Sequence, residues 1–249
     1  MLYGSWISAS GALTNSYKHD VIANNLANVD TVGFKSQMAT FNSRKTEVRE
    51  GNGRAQFTNR LLENLGGGIF ANPTSTNYSQ SSINITGNEY DVAINGKGFF
   101  QVDKEGQTMF TRDGRFAAPN GVLVTQETNF PILDVAGKQI EINNSLPIEI
   151  SKTGQISQNN EFIGQLGIVG FDDLKVLTPK GENLFAANGE VQGKPVVAQL
   201  SQKALEESGV DATREFVSMI DNQRLLETNL KMLKMQDESL GKLIRQFSS

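Results

Sequence analysis

The stretch VIANNLANVDTVGFK, residues 21–35, decides how the chain folds, because a helix has to stop inside it. Upstream of it, Leu2, Trp6, Ala9, Leu13, Tyr17 and Val21 recur at steps of three or four, the spacing of one helix face. Residues 1–28 hold no proline, and their only glycines are Gly4 and Gly11. The polar pair Asn24-Asn25 interrupts the stripe, and Asp30, Thr31 and Gly33 supply turn chemistry, so the helix is expected to end near Asn28.

The other end of the chain has the same texture in a more regular form. Phe216, Met219, Gln223, Leu226, Leu230, Leu233, Asp237, Leu240, Ile244 and Phe247 alternate steps of three and four without a break. That is a heptad seam, interrupted by the polar residues Gln223 and Asp237. Asp211 is placed to cap a helix, with Arg214 and Glu215 in its first turn. The pattern predicts one helix over 211–246. Propensity alone does not hold a helix of that length, so it needs an apolar partner along its face.

Between the ends the rhythm changes. Residues 81–202 contain short β-type runs, among them YDVAIN, GFFQVD, TMFT, GVLVTQ and FPILDV, separated by glycine, asparagine, aspartate and proline. This predicts antiparallel strands and hairpins with no intervening helix, which argues against a doubly wound sheet. Residues 36–80 contain GNGR, GGG and NPTSTN and are expected to be a linker of partly irregular structure, with a short helix at 55–65. The expected class is α+β. A discontinuous helical domain, residues 1–35 and 203–249, has its two helices paired as a coiled coil, and the central β domain is residues 81–202.

Composition narrows function mainly by exclusion. The 249 residues suffice for one large domain or two small ones. A net charge of −4 lacks the basic face that nucleic acid requires. With no cysteine, disulfides, thiolate catalysis and zinc–thiolate sites are ruled out. The N-terminal MLYGSWISAS has neither the basic region nor the apolar run of a secretory leader, and no stretch approaches the ~20 apolar residues of a membrane span.

Catalytic constellations are equally scarce. The only histidine, His19, cannot by itself build a triad or a metal cluster and is expected at a surface or interface. Asn95-Gly96-Lys97-Gly98 runs into Phe99-Phe100, a strand, so it is a hairpin turn and not a dinucleotide fingerprint. Gly66-Gly67-Gly68 lacks the Lys-Ser/Thr of a phosphate loop. Asp172-Asp173 would point opposite ways on a strand, and suit a turn better than acid–base work. Asp103, Glu105 and Gly106 do not complete a calcium loop. No cofactor or metal site is expected. An enzyme survives only as a glycosidase with no nominated carboxylate pair.

Against this background the opening stretch is specific. Asn25, Leu26, Ala27, Asn28, Thr31, Gly33, Phe34 and Lys35 resemble the N-terminal signature of the flagellar rod and hook family. DVAINGKGFFQV at 91–102, FTRDGRF at 110–116 and GVLVT at 121–125 look like that family's central β region. Residues 209–238 are similar to its C-terminal helix, with Met219, Ile220, Arg224, Glu227 and Asn229 in matching places; Gly209 departs from the usual asparagine. Only 36–80 is poorly matched.

The resemblance implies a structural, non-enzymatic axial subunit of the bacterial flagellum. Such a subunit is exported by the flagellar type III apparatus without a cleaved signal and sits in the basal body across the periplasm. Its partners would be other rod subunits and copies of itself, without nucleic acid and without membrane insertion. It also makes Phe216, Met219, Leu226, Leu230, Leu233, Leu240, Ile244 and Phe247 an assembly seam. The short chain and the C-terminal stretch favour a proximal-rod type. A distal-rod or hook-type subunit and a rod-associated peptidoglycan-binding module are the alternatives.

Overall fold

The computed structural model describes residues 2–43, 68–188, 193–196 and 198–247. The helix expected at 55–65 lies outside them. Two long helices, α1 (Leu2–Ala27) and α2 (Ala212–Phe247), bracket a region of short, antiparallel strands, which is the expected α+β class. Chain contacts divide the molecule into a helical unit (Met1–Ala27, Gln37–Asn77 and Asp211–Ser249) and a β unit (Asn28–Ser36 and Tyr78–Val210). Residues 28–36 and 203–210 therefore lie with the β strands, and 37–43 and 68–77 with the helices.

In the helical unit, α2 starts where the Asp211 carboxylate accepts a hydrogen bond from the Arg214 amide at 3.1 Å, satisfying one free donor of the first turn. The two helices run antiparallel. Asn222 Nδ2 donates to Asn15 O at 2.7 Å, and Gly4 lies beside Gln236 near the other end. Small residues on α1 make this approach possible: a Cβ on Gly4 would sit 3.1 Å from Gln236 Nε2, and one on Gly11 3.2 Å from Asn229 Nδ2. Against α1 lies a ribbon of two strands, β1 (Gln37–Ser43) and β2 (Ile69–Thr76), with Gln37 opposite Thr76 and Ser43 opposite Ile69. Tyr17 ties it to α1, its hydroxyl donating to Asn72 O at 3.2 Å and its ring meeting Phe41 edge-on at 6.2 Å.

The β unit adds β3 (Ile83–Ile85), β4 (Val92–Asn95), β5 (Phe99–Lys104) and β6 (Gln107–Thr111), followed by shorter strands. Its largest sheet has six strands, with β5 and β6 at its middle and Leu184–Ala187 on the other side of β6. Alternation along β5 serves two cores. Phe100 and Val102 point into a cluster with Val92, Ile94, Leu123 and Ile132, while Phe99 joins Phe110, Val169, Leu177 and Phe185. The FTRDGRF turn is wedged against β4: Val92 N donates to Gly114 O at 3.0 Å, and a Cβ on Gly114 would fall 1.7 Å from Val92 O. Only glycine allows that approach.

Candidate functional site

The signature divides between the two units. Asn25, in the last turn of α1, is buried and completes the helical unit's side of it. Its carboxamide pairs with the backbone of Gln37 as a strand would: Nδ2 donates to Gln37 O at 2.8 Å and Oδ1 accepts from Gln37 N at 2.9 Å. Nδ2 also reaches Glu215 Oε1 at 3.1 Å in the first turn of α2. One side chain thus joins α1, the start of β1 and the start of α2. Leu26 is half-buried, and Ala27 is the last residue of α1.

The rest of the signature belongs to the β unit. Asn28 opens a turn in which Thr31 N donates to Asn28 O and Thr31 Oγ1 to Asn28 Oδ1, both at 3.2 Å. Ser208 Oγ donates to Asn28 O at 2.8 Å. Gly33 N then donates to Glu206 O, and Gly209 N to Phe34 O, each at 2.8 Å. The loop at 28–36 is thereby laced to 206–209, just before α2. Gly33 has φ +68°, and a Cβ there would lie 2.5 Å from the Arg112 carbonyl, so both backbone conformation and space require glycine. Phe34 is half-buried.

Lys35 closes the signature with a buried charge. It is 2% exposed and Glu206 1%. Lys35 Nζ donates to Glu206 Oε1 at 2.7 Å and to Ser79 O at 2.8 Å. Arg112 Nη1 reaches Glu206 Oε2 at 3.1 Å, Nη2 donates to Gly96 O at 2.8 Å, and the guanidinium carbon lies 5.1 Å from the centre of the Phe99 ring. Glu206 Oε1 also accepts from Ser81 N at 2.9 Å. Burial pulls the Lys35 ammonium below its usual range, opposed by its bond to Glu206; Arg112 is likewise lowered by burial and supported by Glu206. One carboxylate serves two cations here. Such a cluster contributes little net stability when whole, but is costly to break.

Glu206 had no marker in the sequence, and Arg112 stood out only as part of FTRDGRF. Among the described residues no group of histidine, cysteine and carboxylate side chains could hold a metal ion. Asp173 caps a short 3-10 turn by accepting from Lys175 N at 2.9 Å, and the neighbouring Asp172 pairs on the surface with Lys194 at 2.6 Å. Gly96 and Gly98, both at positive φ, form the turn between β4 and β5. His19 Nδ1 is buried without a hydrogen-bond partner.

The heptad positions of α2 fall into two rows. Met219, Leu226, Leu233 and Leu240 are half-buried, interleaved with Asn222, Asn229 and Gln236 on the side facing α1. Phe216, Gln223, Leu230, Asp237 and Ile244 are exposed, Leu230 at 51% and Ile244 at 67%. Phe247 is the last residue of α2. On α1, Val21 is buried, whereas Leu13 is 73% exposed. No helix among the described residues is long and apolar enough to cross a membrane.

Known proteins are similar in sequence to this chain along most of its length. The family described as flagella basal body rod protein matches residues 7–35. The flagellar hook protein FlgE/F/G D1 domain matches 93–158, and the flagellar basal body rod FlgEFG protein C-terminal family matches 201–246. The flagellar basal-body rod protein FlgF of Caulobacter vibrioides is 34% identical over 234 residues, covering 92% of this chain and 91% of that one. FlgG proteins of the same description are 35% identical in Buchnera aphidicola subsp. Schizaphis graminum, covering 98% and 99%, and 33% identical in Bacillus subtilis, covering 98% of each. The chain belongs to the flagellar basal-body rod protein family.

Proposed function

We propose that the chain is a structural subunit of the bacterial flagellar rod at its proximal position. It joins other rod subunits and copies of itself in a helical axial assembly that passes motor torque toward the hook. It reaches the basal body, across the periplasm, through the flagellar type III export apparatus without a cleaved leader. It acts mechanically and not by catalysis. The helical unit forms the inner part of the assembly and the β unit the outer part, with the heptad positions of α2 as the assembly seam.

One observation carries this reading. The helical unit holds two long helices and a ribbon, yet its buried apolar residues are only Ala12, Val21 and Ile22 among those described. A unit so built completes its core from outside. The C-terminal stretch MIDNQRLLETNLKMLKMQDE supports the proximal position, while FlgF and FlgG relatives share comparable identity with the chain as a whole. A density map of intact basal bodies, with this chain tagged, tests the assignment. Density for the tag beside the motor end of the rod is expected. Density only at the hook end would move the chain to the distal rod, and absence from the basal body would overturn the reading.

A further inference from the structure

Asparagine followed by glycine is the pair in a chain most prone to spontaneous loss of its side-chain amide. Asn95-Gly96 and Asn120-Gly121 are the pairs of this kind that lie wholly within the described residues. Both asparagines are exposed, and both glycines have positive φ, +111° at Gly96 and +77° at Gly121. The reaction requires a glycine amide free to give up its proton. It also requires a side-chain amide free to fold back onto that nitrogen, and a main chain free to swing between them. Glycine has no Cβ to obstruct the approach. The two pairs are alike in sequence and differ in all of these freedoms.

Asn95-Gly96 is held on every side. Asn95 is the last residue of β4 and sits opposite Gln199 in the ladder, which fixes its extended main chain. Gly96 N, the atom that would attack, donates to Gln80 Oε1 at 2.8 Å, and Gln80 Nε2 reaches Asn95 Oδ1 at 3.4 Å. Gly96 O accepts from Arg112 Nη2 at 2.8 Å, which ties the turn to the buried charge cluster. Asn120-Gly121 lies in a turn with no such clamp. The Asn120 carboxamide makes no hydrogen bond. Gly121 N meets only Ala118 O, at 3.5 Å, too long for a good N–H bond. The chain is gripped just beyond the pair, where Ile142 N donates to Gly121 O at 2.7 Å.

We propose that Asn120-Gly121 is a site of spontaneous conversion to aspartate and isoaspartate, and that the fold protects the identical pair Asn95-Gly96. The Gly121 nitrogen gives its proton to solvent and attacks Asn120 Cγ. The new N–C bond closes a cyclic imide, and the Cγ–Nδ2 bond breaks, releasing Nδ2 as ammonia. Water then opens the imide at either carbonyl. One opening leaves aspartate; the other leaves isoaspartate, with the former side-chain carbon inserted in the main chain. Both add a negative charge, and the second also lengthens the turn. That turn leads directly into the core: Leu123 N donates to Ile140 O at 2.9 Å, and Leu123, Ile140 and Ile142 all belong to the larger apolar cluster. Lengthening the chain before Gly121 therefore loosens its pairing with residues 140–142.

The test is a time course on the purified full chain at mildly alkaline pH, with and without urea. Peptide mass spectrometry, with fragmentation to assign the residue, follows each asparagine. In the folded chain Asn120 is expected to convert about tenfold faster than Asn95, the factor that one net hydrogen bond supplies. In urea the two rates should converge, because the pairs are the same. Gln80→Ala, a change at an exposed residue, should speed Asn95 and leave Asn120 unchanged. Faster hydrogen exchange at the Leu123 and Ile142 amides is expected in converted chains. Equal rates in the folded chain, or conversion of Asn95 ahead of Asn120, overturn the proposal. A difference that persists in urea assigns it to neighbouring residues and overturns protection by the fold. An unchanged Asn95 rate in Gln80→Ala overturns the protective role of that bond, and unchanged exchange at Leu123 and Ile142 overturns the link to the core.

Discussion

The two units of this molecule solve opposite problems. Among the described residues the β unit holds nearly all of the buried apolar side chains, many of them in two clusters on either side of β5, and its buried cations Lys35 and Arg112 share the Glu206 carboxylate within the unit. The helical unit has the more regular secondary structure and the poorer interior. Trp6, Leu13, Phe70, Phe216, Leu230 and Ile244 are all exposed on it, and where the helices meet, half-buried Met219, Leu226, Leu233 and Leu240 alternate with the polar Asn222, Asn229 and Gln236. Regular helix is therefore no sign of autonomous stability here. A fold that buries its apolar surface within one chain is finished at the monomer, whereas one that displays it is finished by assembly.

The widest gap should appear in hydrogen exchange on the isolated chain. Amides of β4, β5 and β6 are expected to exchange only through global unfolding, at roughly 5–15 kcal/mol. Amides of α1 and α2 should open at a few kcal/mol or less. Equal protection of helices and strands in a chain shown to be monomeric would erase the contrast.

Glu206→Ala attacks the β unit at its buried charge cluster. It strands two buried cations, so a loss of about 3–5 kcal/mol is expected in urea denaturation followed by the sheet signal. Lys35→Met should cost clearly less, because it removes the surplus charge and leaves the Arg112–Glu206 pair intact. Equal losses from the two variants would mean that Glu206 matters for its packing and not for its charge.

Asn25→Ala makes the matching cut in the helical unit. It leaves the N–H and C=O of the half-buried Gln37 without their carboxamide partner, at a cost of about 1–3 kcal/mol. The expected readout is faster exchange at β1 and the last turn of α1, with β4 to β6 unchanged. If protection fell across β4 to β6 as well, Asn25 would have to act on both units, and the division of the signature at Ala27 would be in error.

Local chemistry made some of this legible from sequence alone. The end of α1 at Ala27, the Asp211 cap and the glycine turn after β4 all follow from residues within a few positions of one another. The charge cluster does not, because Lys35, Arg112 and Glu206 come from three distant parts of the chain and none is unusual where it stands. The ribbon of β1 and β2 escaped for another reason. QMATFNS and IFANPTST have proline and polar residues in place of a clean alternation, and they pack on α1 as well as pairing with each other. The heptad on α2 was readable as a pattern, but periodicity does not say which partner covers it. A shift of one residue, from Gln223 and Asp237 to Asn222 and Gln236, decides which polar groups meet α1.

The smallest effect on the isolated chain should come from Leu230→Asp. Leu230 is half-exposed, has no partner in the monomer's seam and lies on a row already containing Asp237, so unfolding should shift by no more than about 0.5 kcal/mol. The same change puts a carboxylate in the exposed row of the proposed assembly seam, where burial of an unpaired charge is prohibitive. Export of the folded-competent chain with loss of motility is therefore expected, and Leu230→Met should restore swimming by returning an apolar side chain of similar size. Normal motility in Leu230→Asp cells would remove the exposed row from the assembly, and with it the argument that the helical unit leaves its core open for another copy to fill.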